Sequence, residues 1–100
     1  MGTVTTSLRQ EAESIFADLG YNVSGNGGEI HAQRKWRTVQ VTPMSEPRDI
    51  PTSGNLRCFV TWEDRAGDLE QHLTRENPDY EWAIIGVREG GEYTVAGRTA

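Results

Sequence analysis

Catalysis needs particular side chains brought together, and this chain of 100 residues offers few. Its soft metal ligands are His31, His72 and Cys58. No two of them stand at the short spacing that zinc sites use, so no metal site and no bound cofactor is expected. Cys58 keeps step with Leu56, Val60 and Trp62 in an alternating stretch, the pattern of a small buried hydrophobe rather than a nucleophile. Ser53 precedes Gly54, but nothing around it has the pattern of the strained elbow that exposes a catalytic serine. Gly25-Asn26-Gly27-Gly28 is glycine-rich, yet a strand pattern follows it where a phosphate-cradling loop would open a helix, so it reads as a turn. Glu11/Glu13, Glu63/Asp64 and Glu89/Glu92 are close in sequence. A catalytic acid and base need environments that separate their pKa values, whereas these pairs fall on a helix face, at a helix start and in a turn. No catalytic residue is assigned, and an enzyme is the less expected outcome.

One run remains. Arg34-Lys35-Trp36-Arg37 is the only dense basic stretch, with Arg48 and Arg57 as further guanidinium groups downstream. A planar guanidinium grips phosphate or carboxylate in a bidentate way, and an indole offers a stacking face. Arg34, Trp36, Arg37 and Arg57 are therefore the candidate ligand-binding residues, for an anionic ligand or a nucleic acid. The plainer alternative is a hydrated hairpin turn with Trp36 closing one sheet edge.

The elements that would hold these residues follow from periodicity. Leu8, Ala12, Ile15, Phe16 and Leu19 form one helical stripe, predicting a helix over 7–19 with Ser7 and Gln10 as a capping box and Gly20 as its left-handed stop. Three alternating strands follow. Tyr21 and Val23, then Ile30 and Ala32, then, after a turn near Arg34-Lys35, Val39 and Val41 give a meander with one apolar face. Residues 43–54 include Pro43, Pro47 and Pro51 and predict a long irregular connection. A fourth strand over 56–62 leads to a helix with Asp64 as N-cap and Ala66, Leu69 and Leu73 on its apolar side, ended by Asn77-Pro78. The unbroken apolar run at 82–87 is that of a strand buried on both faces, and the strand–helix–strand unit predicts a parallel crossover. Glu89-Gly90-Gly91 then turns the chain into a last strand over 93–95. The expectation is a single α+β domain over 1–100, of order α-β-β-β-β-α-β-β. Its sheet is mixed and mostly antiparallel, with helices packed against it.

Composition narrows the class. Hydrophobic residues make up 35% of the chain, enough for a core, and no apolar run reaches the roughly 20 residues of a membrane-spanning helix. The first seven residues have neither a basic region nor an apolar stretch, and the single cysteine cannot form an internal disulfide. Together these lead to the expectation of a cytoplasmic protein without a membrane partner. Fifteen acidic residues against ten basic ones give a net charge of -5, and of the ten only Lys35 is lysine. Carboxylates that hold water and hydrated cations, with almost no lysine, resemble the surfaces of proteins from salt-loving archaea. A GC-rich genome favours Arg codons as well.

Two family resemblances bear on function. A helix carrying Glu, a three-stranded meander and a strand–helix–strand unit resemble, over residues 7–87, the core order of restriction-endonuclease-like nucleases. The resemblance implies an acidic residue on one meander strand and Glu-x-Lys on the next. Glu29 stands for the first, but Gln40-Val41-Thr42 replaces the second, and Gln and Thr supply neither a carboxylate for Mg²⁺ nor a cation to activate water. The helix which that family places after the motif is also replaced, by the proline-rich stretch. Along its whole length the chain resembles a family of short uncharacterised haloarchaeal proteins. The residues that carry this are Val4-Thr5-Thr6-Ser7-Leu8-Arg9-Gln10-Glu11-Ala12, Leu19-Gly20-Tyr21, Arg34-Lys35-Trp36-Arg37-x-Val39-Gln40-Val41, Leu56-Arg57-Cys58-Phe59-Val60-Thr61-Trp62 and Tyr80-Glu81-Trp82-Ala83. That resemblance implies no known activity. The expected function is a non-catalytic binding or interaction module of a halophilic archaeon. The alternative is a nucleic-acid-associated protein with a degenerate, catalytically inactive nuclease-like fold.

The acidic balance generates a first prediction. With 15 carboxylates on a small surface, thermal stability should rise from dilute buffer to molar KCl, because salt screens self-repulsion and strengthens apolar burial. A flat or falling melting temperature over that range would contradict the halophilic reading.

Overall fold

A computed structural model describes residues 4–26, 29–44, 50–51, 53–88 and 92–98. Its elements are α1 (Val4–Asp18), β1 (Asn22–Asn26), β2 (Glu29–Arg34), β3 (Arg37–Pro43), β4 (Leu56–Trp62), α2 (Glu63–Glu76), β5 (Glu81–Val87) and β6 (Tyr93–Arg98). All six strands lie in one sheet, in the order of the sequence. β1, β2 and β3 run antiparallel, β3, β4 and β5 are parallel, and β6 returns antiparallel on β5. This is the α+β arrangement that the alternation implies, with a mixed sheet and the predicted parallel β4–α2–β5 unit.

Alternation decides which residues reach which layer. Val23 pairs with Ala32, Ala32 with Val39 and Ile30 with Val41, so the apolar side chains of the meander share one face. On that face they meet Leu8, Ala12, Ile15 and Phe16 of α1, and the layer continues through Cys58, Val60, Ile85 and Val87. The intervening residues of β4 and β5 point to the other face, where Phe59, Trp82 and Ile84 form a second core with Leu69, Leu73 and Tyr80. The two helices therefore cover opposite faces, and among the described residues apolar packing covers β4 and β5 on both.

Parallel neighbours cannot be joined by a tight turn, so β3 and β4 need a crossover. Here the proline-rich connection provides it without a described helix: Met44 and Ile50 pack on the second core, on the α2 side. Backbone bonds hold its ends, from Met44 N–H to the Val60 carbonyl at 2.8 Å and from Glu81 N–H to the Asn55 carbonyl at 3.1 Å.

Several expected boundaries move. α1 begins at Val4, one turn before Ser7, so Ser7 lies inside the helix and is not its cap. Leu19 falls after the helix end and is 45% exposed, because Gly20, with φ of +92°, turns the chain toward β1 there. Tyr21 docks on the core in its stead, its ring edge-on to Phe16 with centroids 5.3 Å apart. α2 starts directly from β4 at Glu63, so Trp62 and not Asp64 holds the cap position, with no side-chain cap bond. Glu63 and Asp64 instead sit in the first turn, where carboxylates complement the positive end of the helix dipole. Asn77 ends α2 as expected, in a left-handed conformation with its N–H on the Leu73 carbonyl. The turn after β2 falls at Lys35 and Trp36, one residue later than expected, and the last strand extends to Arg98. Residues 27–28 and 89–91 of the two glycine turns, and Arg48, lie outside the described residues.

Phe16 is 5% exposed between α1 and the sheet. Phe16→Ala should cost about 3–5 kcal/mol, a large share of the stability of a small domain. An unchanged denaturation midpoint would exclude Phe16 from the core.

Candidate functional site

The basic run forms the tip of the β2–β3 hairpin. Arg34 and Arg37 are register partners, and Lys35 and Trp36 make the two-residue turn between them. Lys35 takes φ of 56°, a left-handed value uncommon for a residue with a Cβ but suited to a tight reversal. Because Trp36 belongs to the turn, strand alternation does not force its ring away from the two arginines. Trp36 is 90% exposed.

Arg34 follows Ala32 and Arg37 precedes Val39 at strand spacing, so both guanidinium groups start from the α1 side of the sheet. Arg34 runs beside the turn after α1, its Nε 3.7 Å from where a Cβ on Gly20 would stand. Among the described residues, none of Arg34, Lys35 and Arg37 is ion-paired. Three cations and an uncovered indole thus meet on four consecutive residues of a chain whose net charge is -5.

Arg57 is elsewhere. Its register partner is Gln40, three residues into β3 from Arg37, and it lies on the opposite face of the sheet, alternate to Cys58. It is 8% exposed. Its Nε donates to the Ser53 carbonyl at 2.7 Å, and its guanidinium carbon lies 5.6 Å from the centre of the Tyr80 ring. The Tyr80 hydroxyl in turn donates to the Pro51 carbonyl at 2.6 Å. Gly54 completes this clamp: it takes φ of +152°, and a Cβ there would stand 2.6 Å from Arg57 Nε and 2.8 Å from Gln40 Oε1. The structure therefore gives Arg57 the work of holding the proline-rich connection on β4, away from the hairpin tip.

A polar row crosses the sheet on that same face, joining the polar side of the meander, which alternation predicts, to Arg57, which it does not. Ser24 pairs with His31, His31 with Gln40 and Gln40 with Arg57. Thr42, two residues after Gln40, has a buried Oγ1 without a hydrogen-bond partner among the described residues. Gln40 and Thr42, at the positions where the nuclease motif would place Glu and Lys, thus share the meander face that α1 does not cover, and Glu29 is the first residue of the neighbouring strand. The strand period could have shown the shared face. The Gln40–Arg57 partnership depends on a parallel pairing that no local signal encodes.

The remaining candidates are separate from one another. His31 is exposed on β2 and His72 half-buried on α2, and no group of three metal-ligating side chains occurs among the described residues. Cys58 is 4% exposed, and burial pushes its thiol up from 9.0 to about 12, which leaves almost no thiolate at neutral pH. Two clefts lie elsewhere. One of about 210 Å³ is lined by Ile50, Pro51 and Pro78 with Glu76, Asn77 and Asp79, and the other follows the outer side of α2.

Burial also raises the Tyr80 hydroxyl above its ordinary value, with Arg57 pulling the other way. Both groups are neutral when protonated, so the folded state holds these protons more tightly than the unfolded one. Stability should be unaffected by them below pH 9.0 and should fall as pH rises from there toward about 12. Cys58→Ala should flatten the first part of that decline in denaturation experiments, and a slope identical to the wild type would refute the assignment.

No curated protein matches the chain. Residues 9–96 match a family of unknown function, DUF7116, and the chain belongs to that family.

Proposed function

We propose that this member of DUF7116 is a non-catalytic binding module whose 34–37 hairpin takes an anionic, planar ligand: a nucleotide or a single-stranded nucleic acid. The observation that carries the proposal is Trp36, 90% exposed between arginines. Burying an indole contributes a few kcal/mol to folding, and this fold forgoes that contribution at Trp36. A base stacked on such a ring gains about 1–3 kcal/mol, and Arg34 and Arg37 flank it with groups shaped for phosphate. Arg34 and Arg37 are both exposed, so a ligand can reach their guanidinium groups. In the salty cytoplasm that the acidic surface suits, screening shortens the reach of charge to about 3 Å at 1 M, so stacking would supply much of the affinity.

A second reading, a nucleic-acid-associated protein descended from a nuclease-like fold, is supported by the element order. A meander leads into a parallel strand–helix–strand unit, with Gln40 and Thr42 on one face of β3. On this reading Gln and Thr in place of Glu and Lys leave the scaffold without its metal-dependent chemistry. The clamp at Arg57 keeps that scaffold closed rather than contacting the ligand.

Fluorescence tests the proposal. Trp82 is 3% exposed and Trp62 half-buried, so a ligand at the hairpin should quench mainly Trp36. Titration with a single-stranded oligonucleotide should quench emission at low salt and weaken as salt rises. The double change Arg34→Ala with Arg37→Ala should abolish it, and Trp36→Phe should remove the signal. No binding at low salt, where attraction is strongest, would return the turn to plain solvated surface.

A further inference from the structure

Among the described residues the exposed large hydrophobic side chains are Leu19, Trp36, Tyr93 and Val95. Two of them lie on β6. This strand is an edge of the sheet: it pairs with β5 on one side and with no described strand on the other. Val95 is opposite Ile85 and Tyr93 opposite Val87, so both face the layer that α1 covers. α1 itself packs mainly on β1, β3 and β4. The apolar layer therefore runs out past its helix and ends at Tyr93 and at Val95, which is 64% exposed.

Soluble proteins blunt an open edge with lysine, proline, a bulge or an inward charge. Residues 93–97 are Tyr, Thr, Val, Ala and Gly, without any charge or proline, in a chain with 25 charged residues. β1, the other edge, differs. Asn22, Ser24, Gly25 and Asn26 have low strand propensity, and it carries no exposed large hydrophobic side chain among its described residues.

We infer that β6 pairs antiparallel with β6 of a second copy of this chain, extending one sheet across a twofold axis. Two copies, each with net charge -5, repel wherever their acidic surfaces meet, so an uncharged edge is where they approach at least cost. A twofold pairing that keeps the α1 layers on one side must place residues of the same face opposite one another. Centred on Val95, it sets Val95 against Val95 of the second copy and Tyr93 against Gly97. The second pair is complementary, because a tyrosine ring lies well over the bare backbone of a cross-strand glycine. The middle of the contact contains backbone bonds and apolar side chains. Opposed charges, Glu92 with Arg98 of the second copy, meet only at its two ends, where they count for less than the like net charges that salt screens. Dimerisation should therefore strengthen as salt rises, opposite in sign to oligonucleotide binding at the hairpin.

Sedimentation equilibrium of the full chain from dilute buffer to molar KCl should show a dimer, tighter at higher salt. Val95→Lys would set two ammonium groups directly opposite each other and should weaken association by about tenfold or more. The melting curve extrapolated to low protein concentration should not move, since Val95 is 64% exposed. Val95→Cys provides the second measurement. Opposed residues of an antiparallel pair lie about 4.5–5.5 Å apart, within disulfide reach. Mild oxidation should then yield a covalent dimer, with Cys58 buried and the native chain uncrosslinked under the same conditions. A monomer at all salt concentrations would overturn the inference. So would a dimer that survives Val95→Lys, or one whose Val95→Cys form does not crosslink.

Discussion

The fold depends on two parallel ladders meeting at β4. Parallel pairs require crossovers, and strands joined by crossovers must be covered on the faces the crossovers take. β4 meets this from both sides: Cys58 and Val60 lie under α1, Phe59 under α2, and five of its seven residues are buried. On the α2 side the β4–β5 crossover is a helix. The β3–β4 crossover is a proline-rich connection whose described residues, 44, 50–51 and 53–55, lie in no helix or strand that could order them. Arg57, Tyr80 and Gly54 supply that order instead, through bonds to the Ser53 and Pro51 carbonyls. The buried Arg57 guanidinium thus serves this crossover.

This constraint separates the candidate site from the scaffold. The meander carries its apolar residues toward α1, and α2 and the connection lie over β4 and β5, so the far face of β1–β3 is free to be polar. The β2–β3 hairpin projects from a part of the sheet that owes little to the parallel ladders. Its tip can hold an unburied indole and three cations without disturbing either core. Two paired strands carry that tip away from both cores.

What was legible in the sequence was what alternation encodes. The stripe of Leu8, Ala12, Ile15 and Phe16, the three apolar pairs of the meander and the two-faced run at 82–87 each appear where period and burial require them. Helix starts were less legible. Ser7 and Asp64 have the chemistry of caps, but α1 continues back to Val4 and α2 grows straight out of β4, so neither side chain stands where a cap must. Leu19 keeps the helical spacing but not the helix. The site divided along the same line. Residues 34–37 form one local turn, visible as a run in the sequence, whereas only charge links Arg57 to them. The parallel register that pairs it with Gln40, on the other face of the sheet, joins segments separated by the whole connection. Non-local pairing is invisible to a local period.

The left-handed turn at Lys35 has one more consequence, for proteolysis. Lys35 is the only lysine in the chain, so a lysine-specific protease finds a single bond to cut, the one before Trp36. Proteases bind their substrates extended, and a backbone held at φ of 56° by pairing on both sides does not present that shape. Cleavage must wait for the hairpin to open, locally or with the whole fold, which ties its rate to that opening. The residue that lets the tip reverse so tightly also makes the hairpin's integrity readable at one peptide bond.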